Sequence, residues 1–339
     1  MPDLAGGAHT SLYLLALVTQ SDLRQQPIIS IVGPTASGKS DLGIAMALRF
    51  GGEIINCDSV QVYREIDVAT AKVPFNMRRG VPHHLIDFVP PDVNYTAGDW
   101  ARDAQLKIEE IEARRRLATI VGGTGFYLRA LRSPFFISPP TETGLRRRIT
   151  RIRERHGPEH LHRMLQRIDP RASEKLFPRD WPRVQRALEV RLQTGRPMSE
   201  LMRTQTAPPA CAARIRVLAL LPPRAELYSR INARTEAHFN DDLLAEACIL
   251  LKRGVPRDAN SLGAHGYRRV VEYLKSEREY ESAIEQTKLD VRHYAKRQLT
   301  WFRREPGVEW FEGFGDDPLV QERVAARIKE LMEQDSRSH

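Results

Sequence analysis

The first clear pattern along the chain is the short β-rich run Ile28-Ile29-Ser30-Ile31-Val32, which predicts a strand. A Gly-rich turn follows, and then Leu42, Ala45, Met46 and Phe50 recur at helical spacing. Glu53-Ile54-Ile55-Asn56 predicts a second strand. A charged helix over about residues 97–115 leads to a third, Ala118-Thr119-Ile120-Val121. Alternation of this kind predicts an α/β fold with a mostly parallel sheet covered by helices. From about Ser133 to Arg214 the text turns Arg-rich and helical, bounded by Pro139-Pro140 and Pro208-Pro209. After Pro222-Pro223 a long helical region begins, in which Leu243, Leu244, Ala247, Leu250 and Leu251 share a face as far as Gly254. The expected organisation is a variable extension over 1–26, a catalytic core over 27–132 and 213–339, and a helical insertion over 133–212.

Composition adds a little. Lys and Arg number 52 against 43 Asp and Glu, a net charge of +9, which suits a polyanionic partner and equally a solvated surface. Three widely separated cysteines, Cys57, Cys211 and Cys248, build neither a C-x-x-C zinc element nor a disulfide framework, and they fit a reducing cytosol. The apolar stretch Leu12–Val18 is too short to span a bilayer and lacks the basic flank of a secretion signal, so no membrane association is expected.

The strongest chemical signal is Gly33-Pro34-Thr35-Ala36-Ser37-Gly38-Lys39-Ser40, a full match to G-x-x-x-x-G-K-[ST] between a strand and a helix. Its glycines let successive N–H groups converge on a phosphate, the helix start adds a positive dipole end, Lys39 supplies a point charge, and the Ser40 hydroxyl can ligate Mg²⁺. The core is therefore expected to be P-loop NTPase-like. Such a cradle does not distinguish a nucleoside triphosphate from a prenyl diphosphate.

Asp58-Ser59-Val60-Gln61-Val62-Tyr63 follows the second strand, placing Asp58 at the ligand edge of the sheet. An acid there can bind Mg²⁺ through water, accept a proton from an acceptor nucleophile, or simply cap the next turn. Gln61 has the groups to read an adenine edge and Tyr63 offers a stacking face. Thr70 and Lys72 are placed to face a diphosphate, whereas His83 and His84 read as structural, since adjacent histidines diverge and no third ligand accompanies them. Gly122-Gly123-Thr124-Gly125 is a second Gly-rich turn at the same edge.

Taken in order, these motifs resemble the tRNA dimethylallyltransferase family, also called tRNA isopentenyltransferases. The resemblance continues through Arg183-Val184-x-Arg186-Ala187-Leu188-Glu189-Val190, Arg230-Ile231-x-x-Arg234, Gly266-Tyr267-Arg268 and Tyr294-Ala295-Lys296-Arg297-Gln298-x-Thr300-Trp301-Phe302, and spans about Ile28 to Trp310. It implies Mg²⁺-assisted transfer of a dimethylallyl group from dimethylallyl diphosphate to N6 of adenosine 37, in the anticodon stem-loop of tRNAs reading codons that begin with U. The expected enzyme is a cytoplasmic monomer. By motif position the resemblance makes Asp58 the general base, assigns catalytic roles to Thr124 and Arg224, gives diphosphate to Gly33–Ser40 and the metal to Ser40. It places tRNA contacts at Asp58, Ser59, Val60, Gln61, Thr124, Arg146, Pro182, Arg183, Val184, Gln185 and Arg186. Ser40 stands where the family usually has Thr, which retains the hydroxyl.

The residues agree with that chemistry. The adenine amino group is a poor nucleophile, so a carboxylate taking its proton is useful, and a departing diphosphate needs cations and N–H donors. Arg146, Arg147, Arg148, Arg151, Arg153 and Arg155 recur along one predicted helix as phosphate-facing groups would, or as a solvated face. Trp301 and Phe302 beside Lys296-Arg297 read either as RNA-contacting aromatics or as core. Three alternatives remain open at this point: a P-loop kinase or NTPase with Asp58 on magnesium, a prenyltransferase acting on free adenine nucleotides, and a noncatalytic RNA-binding module.

Overall fold

The computed structural model describes residues 26–133, 139–204 and 207–337; the Leu12–Val18 stretch and nearly all of the predicted 1–26 extension lie outside them. The chain clusters into two compact units, Met1–Arg132 with Pro209–His339, and Ser133–Pro208.

In chain order the first unit begins with β1 (Ile28–Val32), α1 (Lys39–Phe50), β2 (Gly52–Asn56), β3 (His83–His84), α2 (Ala97–Ala113), β4 (Leu117–Gly122) and α3 (Gly125–Arg132). The second unit contributes α4 (Thr143–His156), α5 (Pro158–Ile168), α6 (Pro170–Ser173), α7 (Trp181–Thr194) and α8 (Met198–Leu201). The first unit resumes with β5 (Ile215–Leu221), α9 (Arg224–His238), α10 (Asp241–Lys252), α11 (His265–Leu274), α12 (Tyr280–Arg303), β6 (Val308–Glu312) and α13 (Pro318–Arg337).

Among the described residues the six strands form one parallel sheet in the order β3-β2-β4-β1-β5-β6. This is the α/β architecture that the alternating pattern predicts. The interior strands read as near-continuous apolar runs because helices cover both faces: β1, β2 and β4 are buried throughout. The pattern leaves β3, β5 and β6 unassigned. Of these, β5 is the run Ile-Arg-Val-Leu-Ala-Leu-Leu between Arg214 and Pro222, whereas β6 is a half-exposed edge strand with Glu309 and Glu312 among its residues. Helix α2 shows how local signals set an element. Thr96 and Asp99 close a capping box at its start, and Trp100, Ala104, Ile108 and Ile111 bury one stripe.

The second unit has its own core, in which Ile149, Leu161, Leu165, Val184, Ala187 and Leu188 meet. Among the described residues no helix is long and apolar enough to cross a membrane.

Candidate active site

The order β2-β4-β1 decides the site, because the loops leaving the carboxyl ends of these three neighbouring strands lie side by side. After β1, the loop Gly33–Ser40 carries Ala36 and Gly38 in the left-handed region, at φ 63° and 78°, which curls its backbone before α1 begins. A Cβ on Gly38 would come within 2.8 Å of Gly315 and Asp316 backbone atoms, so the segment after β6 packs directly on the loop, and Gly315 N–H donates to Ser37 O at 2.9 Å. After β4, Gly122 lies so close to Cys57 that a Cβ would sit 2.1 Å from its carbonyl oxygen. That proximity allows Cys57 N–H to reach Val121 O at 2.8 Å and Thr124 N–H to reach Cys57 O at 3.1 Å, which ties the Asp58 loop to the second Gly-rich turn.

Within this frame Asp58 Oδ1 accepts the Val60 and Gln61 N–H groups at 2.9 and 3.2 Å. The capping role and a chemical role are therefore compatible, since the second carboxylate oxygen takes no hydrogen bond among the described residues. Lys39 Nζ donates to Pro34 O at 2.7 Å. Burial lowers its pKa to about 8, with Asp58 opposing that shift and Arg234 adding to it, so the three charges act on one another. Arg234, on α9, donates to Thr35 Oγ1 at 2.5 Å, and burial holds its pKa below the ordinary value while Asp58 pulls it up.

Asp58, Thr35 and Arg234 line one cavity of about 720 Å³, together with Ser59, Val60, Tyr294 and Arg297. Two histidines share it. Burial lowers the pKa of His265, and burial with the nearby Arg234 pushes His238 down to about 4, so both are neutral at neutral pH. Gln298 of α12 braces the arrangement from below. Its Oε1 accepts Thr35 N–H at 2.8 Å and its Nε2 donates to Gly123 O at 3.0 Å, linking the two Gly-rich loops.

Several residues named from the sequence have other work. Gln61 Nε2 donates to Thr70 O and Ala71 O at 3.0 and 3.3 Å, so its donor is not available to an adenine edge. Lys72 directs its ammonium to Tyr63 O, Asp67 and Asp87, at 2.5, 2.6 and 2.8 Å, instead of facing a diphosphate. Tyr63 is buried from solvent, with its hydroxyl accepting from Tyr95 N–H at 3.4 Å, and it lines the same cavity as Asp58. Arg224 is exposed at the start of α9, with its guanidinium 5.1 Å from the Tyr228 ring and outside the cavity lining; Arg234, ten residues on, is the arginine at the loop. In the sequence Arg234 stood only within the Arg230-Ile231-x-x-Arg234 motif of the family resemblance. Thr124 Oγ1 accepts Ser59 N–H at 3.0 Å. His83 and His84 are engaged structurally, with Val81 O at 2.8 Å and Glu53 Oε2 at 2.7 Å. Phe302 is core, and Trp301 packs where a Cβ on Gly125 would stand, with Arg129 4.7 Å from its ring.

In the second unit, Arg146 donates to the buried Glu189 at 2.8 and 3.0 Å, and Arg186 to the same carboxylate at 3.2 Å. Hydrogen bonds and ion pairs from both arginines hold Glu189 below the usual carboxylate range against the opposing effect of burial, the largest single influence. Val184 and Gln185 are buried and cannot be read at a surface, whereas Pro182 and Arg183 are exposed. Arg153 stacks on Trp181 at 3.8 Å. Arg147, Arg148, Arg151 and Arg155 are exposed and form no ion pair among the described residues.

Known proteins share this chain's sequence and fold. A family model described as IPP transferase matches residues 61–305, and one described as isopentenyl transferase matches residues 26–78. A tRNA dimethylallyltransferase of Solibacter usitatus is 42% identical over 91% of this chain and 100% of its own length. One from Koribacter versatilis is 45% identical over 88% and 97%. Among solved structures, the tRNA isopentenylpyrophosphate transferase of Bacillus halodurans is 35% identical, covers 92% of this chain and 98% of its own, and superposes with a TM-score of 0.67. A eukaryotic dimethylallyltransferase acting on tRNA is 28% identical over 92% of this chain and 80% of its own, with a TM-score of 0.73.

Proposed function

Because this chain belongs to the IPP transferase family, we propose that it transfers a dimethylallyl group from dimethylallyl diphosphate to N6 of adenosine 37 in tRNAs reading codons that begin with U, giving N6-dimethylallyladenosine. The observation that carries this reading is the juxtaposition of Asp58, with one carboxylate oxygen uncommitted, and Arg234 in the same cavity as Thr35 of the phosphate loop.

In the proposed reaction the N–H groups of Ala36–Ser40, Lys39 and Arg234 hold the diphosphate, the Thr35 N–H being taken by Gln298. The allylic C1–O bond breaks with its electron pair going to the diphosphate, whose growing charge these fixed donors stabilise. N6 bonds to C1, and its proton passes to the uncommitted oxygen of Asp58. The products are prenylated tRNA, diphosphate and a proton. Ser40 carries a hydroxyl that makes no hydrogen bond among the described residues and stands in the first turn of α1. Mg²⁺ takes one or two protein ligands and fills its shell with substrate oxygens and water, so this donor fits it, and when bound it would neutralise part of the departing charge.

The acceptor base must leave its stack to reach Asp58, which costs least in a single-stranded anticodon loop. In the second unit, the exposed Arg147, Arg148, Arg151 and Arg155 suit phosphates of the tRNA backbone. A monomer suffices, since all these residues come from one chain, and a cytoplasmic location accords with the tRNA substrate and the free thiols.

The test is to incubate the protein with Mg²⁺, radiolabelled dimethylallyl diphosphate and either unmodified tRNA or AMP, with ATP hydrolysis followed in parallel. Label in tRNA is expected, with Asp58→Ala abolishing transfer but keeping most tRNA binding. Label in AMP alone, or ATP hydrolysis without transfer, refutes the reading.

A further inference from the structure

One part of the cavity wall is the single 3-10 turn Val68–Thr70, of which Ala69 and Thr70 line the space. The turn buries none of its own residues and is left through Ala71 in the left-handed region at φ 52°, so its position depends on what grips it. Glu246 of α10 grips one end. Its Oε1 accepts Asp67 N–H at 2.8 Å and the Tyr267 hydroxyl at 2.6 Å, and its Oε2 accepts Val68 N–H at 3.3 Å. The buried Tyr267 hydroxyl in turn accepts Ala69 N–H at 3.4 Å, and a Cβ on Gly266 would press within 2.7 Å of Ala69 Cβ.

Gln61 holds the other end, donating to Thr70 O and Ala71 O. The same residue's backbone N–H donates to Asp58 Oδ1 at 3.2 Å. A continuous path of hydrogen bonds therefore runs from Glu246 through the turn and Gln61 to the carboxylate of Asp58. A charged acceptor taking successive backbone N–H groups is among the stronger hydrogen-bonding arrangements open to a loop.

We propose that Glu246, seconded by Tyr267, is a positioning residue for prenyl transfer: it fixes the 67–70 turn, which through Gln61 sets the direction of the Asp58 carboxylate. This rests on the general-base reading of Asp58. Displacing a reacting group by a fraction of an ångström is costly to the chemical step, while the phosphate loop lies off this path.

The test uses the full chain with tRNA and labelled dimethylallyl diphosphate. Glu246→Ala is expected to lower kcat by about tenfold or more, with KM for the diphosphate within about twofold. Glu246→Gln, which keeps an oxygen acceptor, should recover much of the rate, and Tyr267→Phe, which keeps the ring packing, should lose a smaller factor. The deciding measurement repeats Glu246→Ala in an Asp58→Asn background, where the residual rate should fall less than about twofold. An equal fall in both backgrounds, or an unchanged kcat in Glu246→Ala, overturns the inference while the general base stands. Full activity of Asp58→Asn by itself overturns the base and this inference together.

Discussion

The Arg234 guanidinium meets Thr35 Oγ1 at 2.5 Å, joining helix α9 to the phosphate loop across 199 residues of chain. Arg224, on the same helix, is exposed and stacks near Tyr228 instead. Arg234→Ala should therefore reduce kcat/KM for the prenyl diphosphate by about 10²-fold, the usual scale for removing one donor to a developing charge. Arg224→Ala should change it less than about threefold, as exposed substitutions do. Steady-state kinetics on the two variants separates them, and the reverse order would return Arg224 to the site.

Lys39 is pulled down to about 8 by burial, more strongly than Asp58 pulls it up. Its ammonium is the form that binds diphosphate, so kcat/KM for dimethylallyl diphosphate should fall as pH rises through about 8, a parameter that reports the free enzyme. Lys39→Arg should lower activity and remove that limb, because arginine stays charged. The sign for stability is the opposite of a paired lysine. With the folded value depressed, the unfolded chain binds more protons between about 8 and the ordinary lysine value of 10.5, so this group's contribution to stability rises with pH across that window. Urea midpoints for wild type and Lys39→Met across pH 7.5–10 check it, roughly over the window the lysine values define.

Gly315 faces Gly38 so closely that a Cβ would stand 2.3 Å from Gly38 O, a backbone atom that can move only by shifting the phosphate loop. Gly315→Ala should cost about 1–3 kcal/mol of stability as overpacking. It should also raise KM for the diphosphate, on the order of tenfold, by distorting the loop. Thermal denaturation and titration with diphosphate give the two numbers, and a variant with unchanged KM would mean that the loop holds its shape independently of Gly315.

The arginines of α4 divide into two kinds. Arg146 serves the buried Glu189, so Arg146→Ala should lower stability by about 1–2 kcal/mol. Arg147, Arg148 and Arg151 are exposed without ion pairs among the described residues. Their replacement by Ala should leave the thermal midpoint nearly unchanged, weaken tRNA binding, and flatten its dependence on log salt by roughly one unit for each phosphate that is no longer neutralised. Filter binding over a salt series distinguishes the two.

Local text determined a good deal about this protein. A run such as Ile28–Val32 is apolar because a strand covered on both faces must be, and a loop with Gly38 in the left-handed region leads into a helix whose sequence already carries the helical period. The phosphate loop, Asp58 and the second Gly-rich turn could therefore be named and assigned to one sheet edge from chemistry and periodicity. Only the tertiary structure decided which side chains finish the site, because that depends on contacts between distant segments. Gln61, Lys72 and Tyr63 have backbone and carboxylate partners, the arginine hydrogen-bonded to the loop is Arg234 while Arg224 is exposed, and Gln298, Gly315 and Glu246 come from segments 175 or more residues away to hold the loops. Hydrogen-bond satisfaction inside a folded chain is settled by which donors and acceptors packing brings together, and strand order, not residue pattern, sets that.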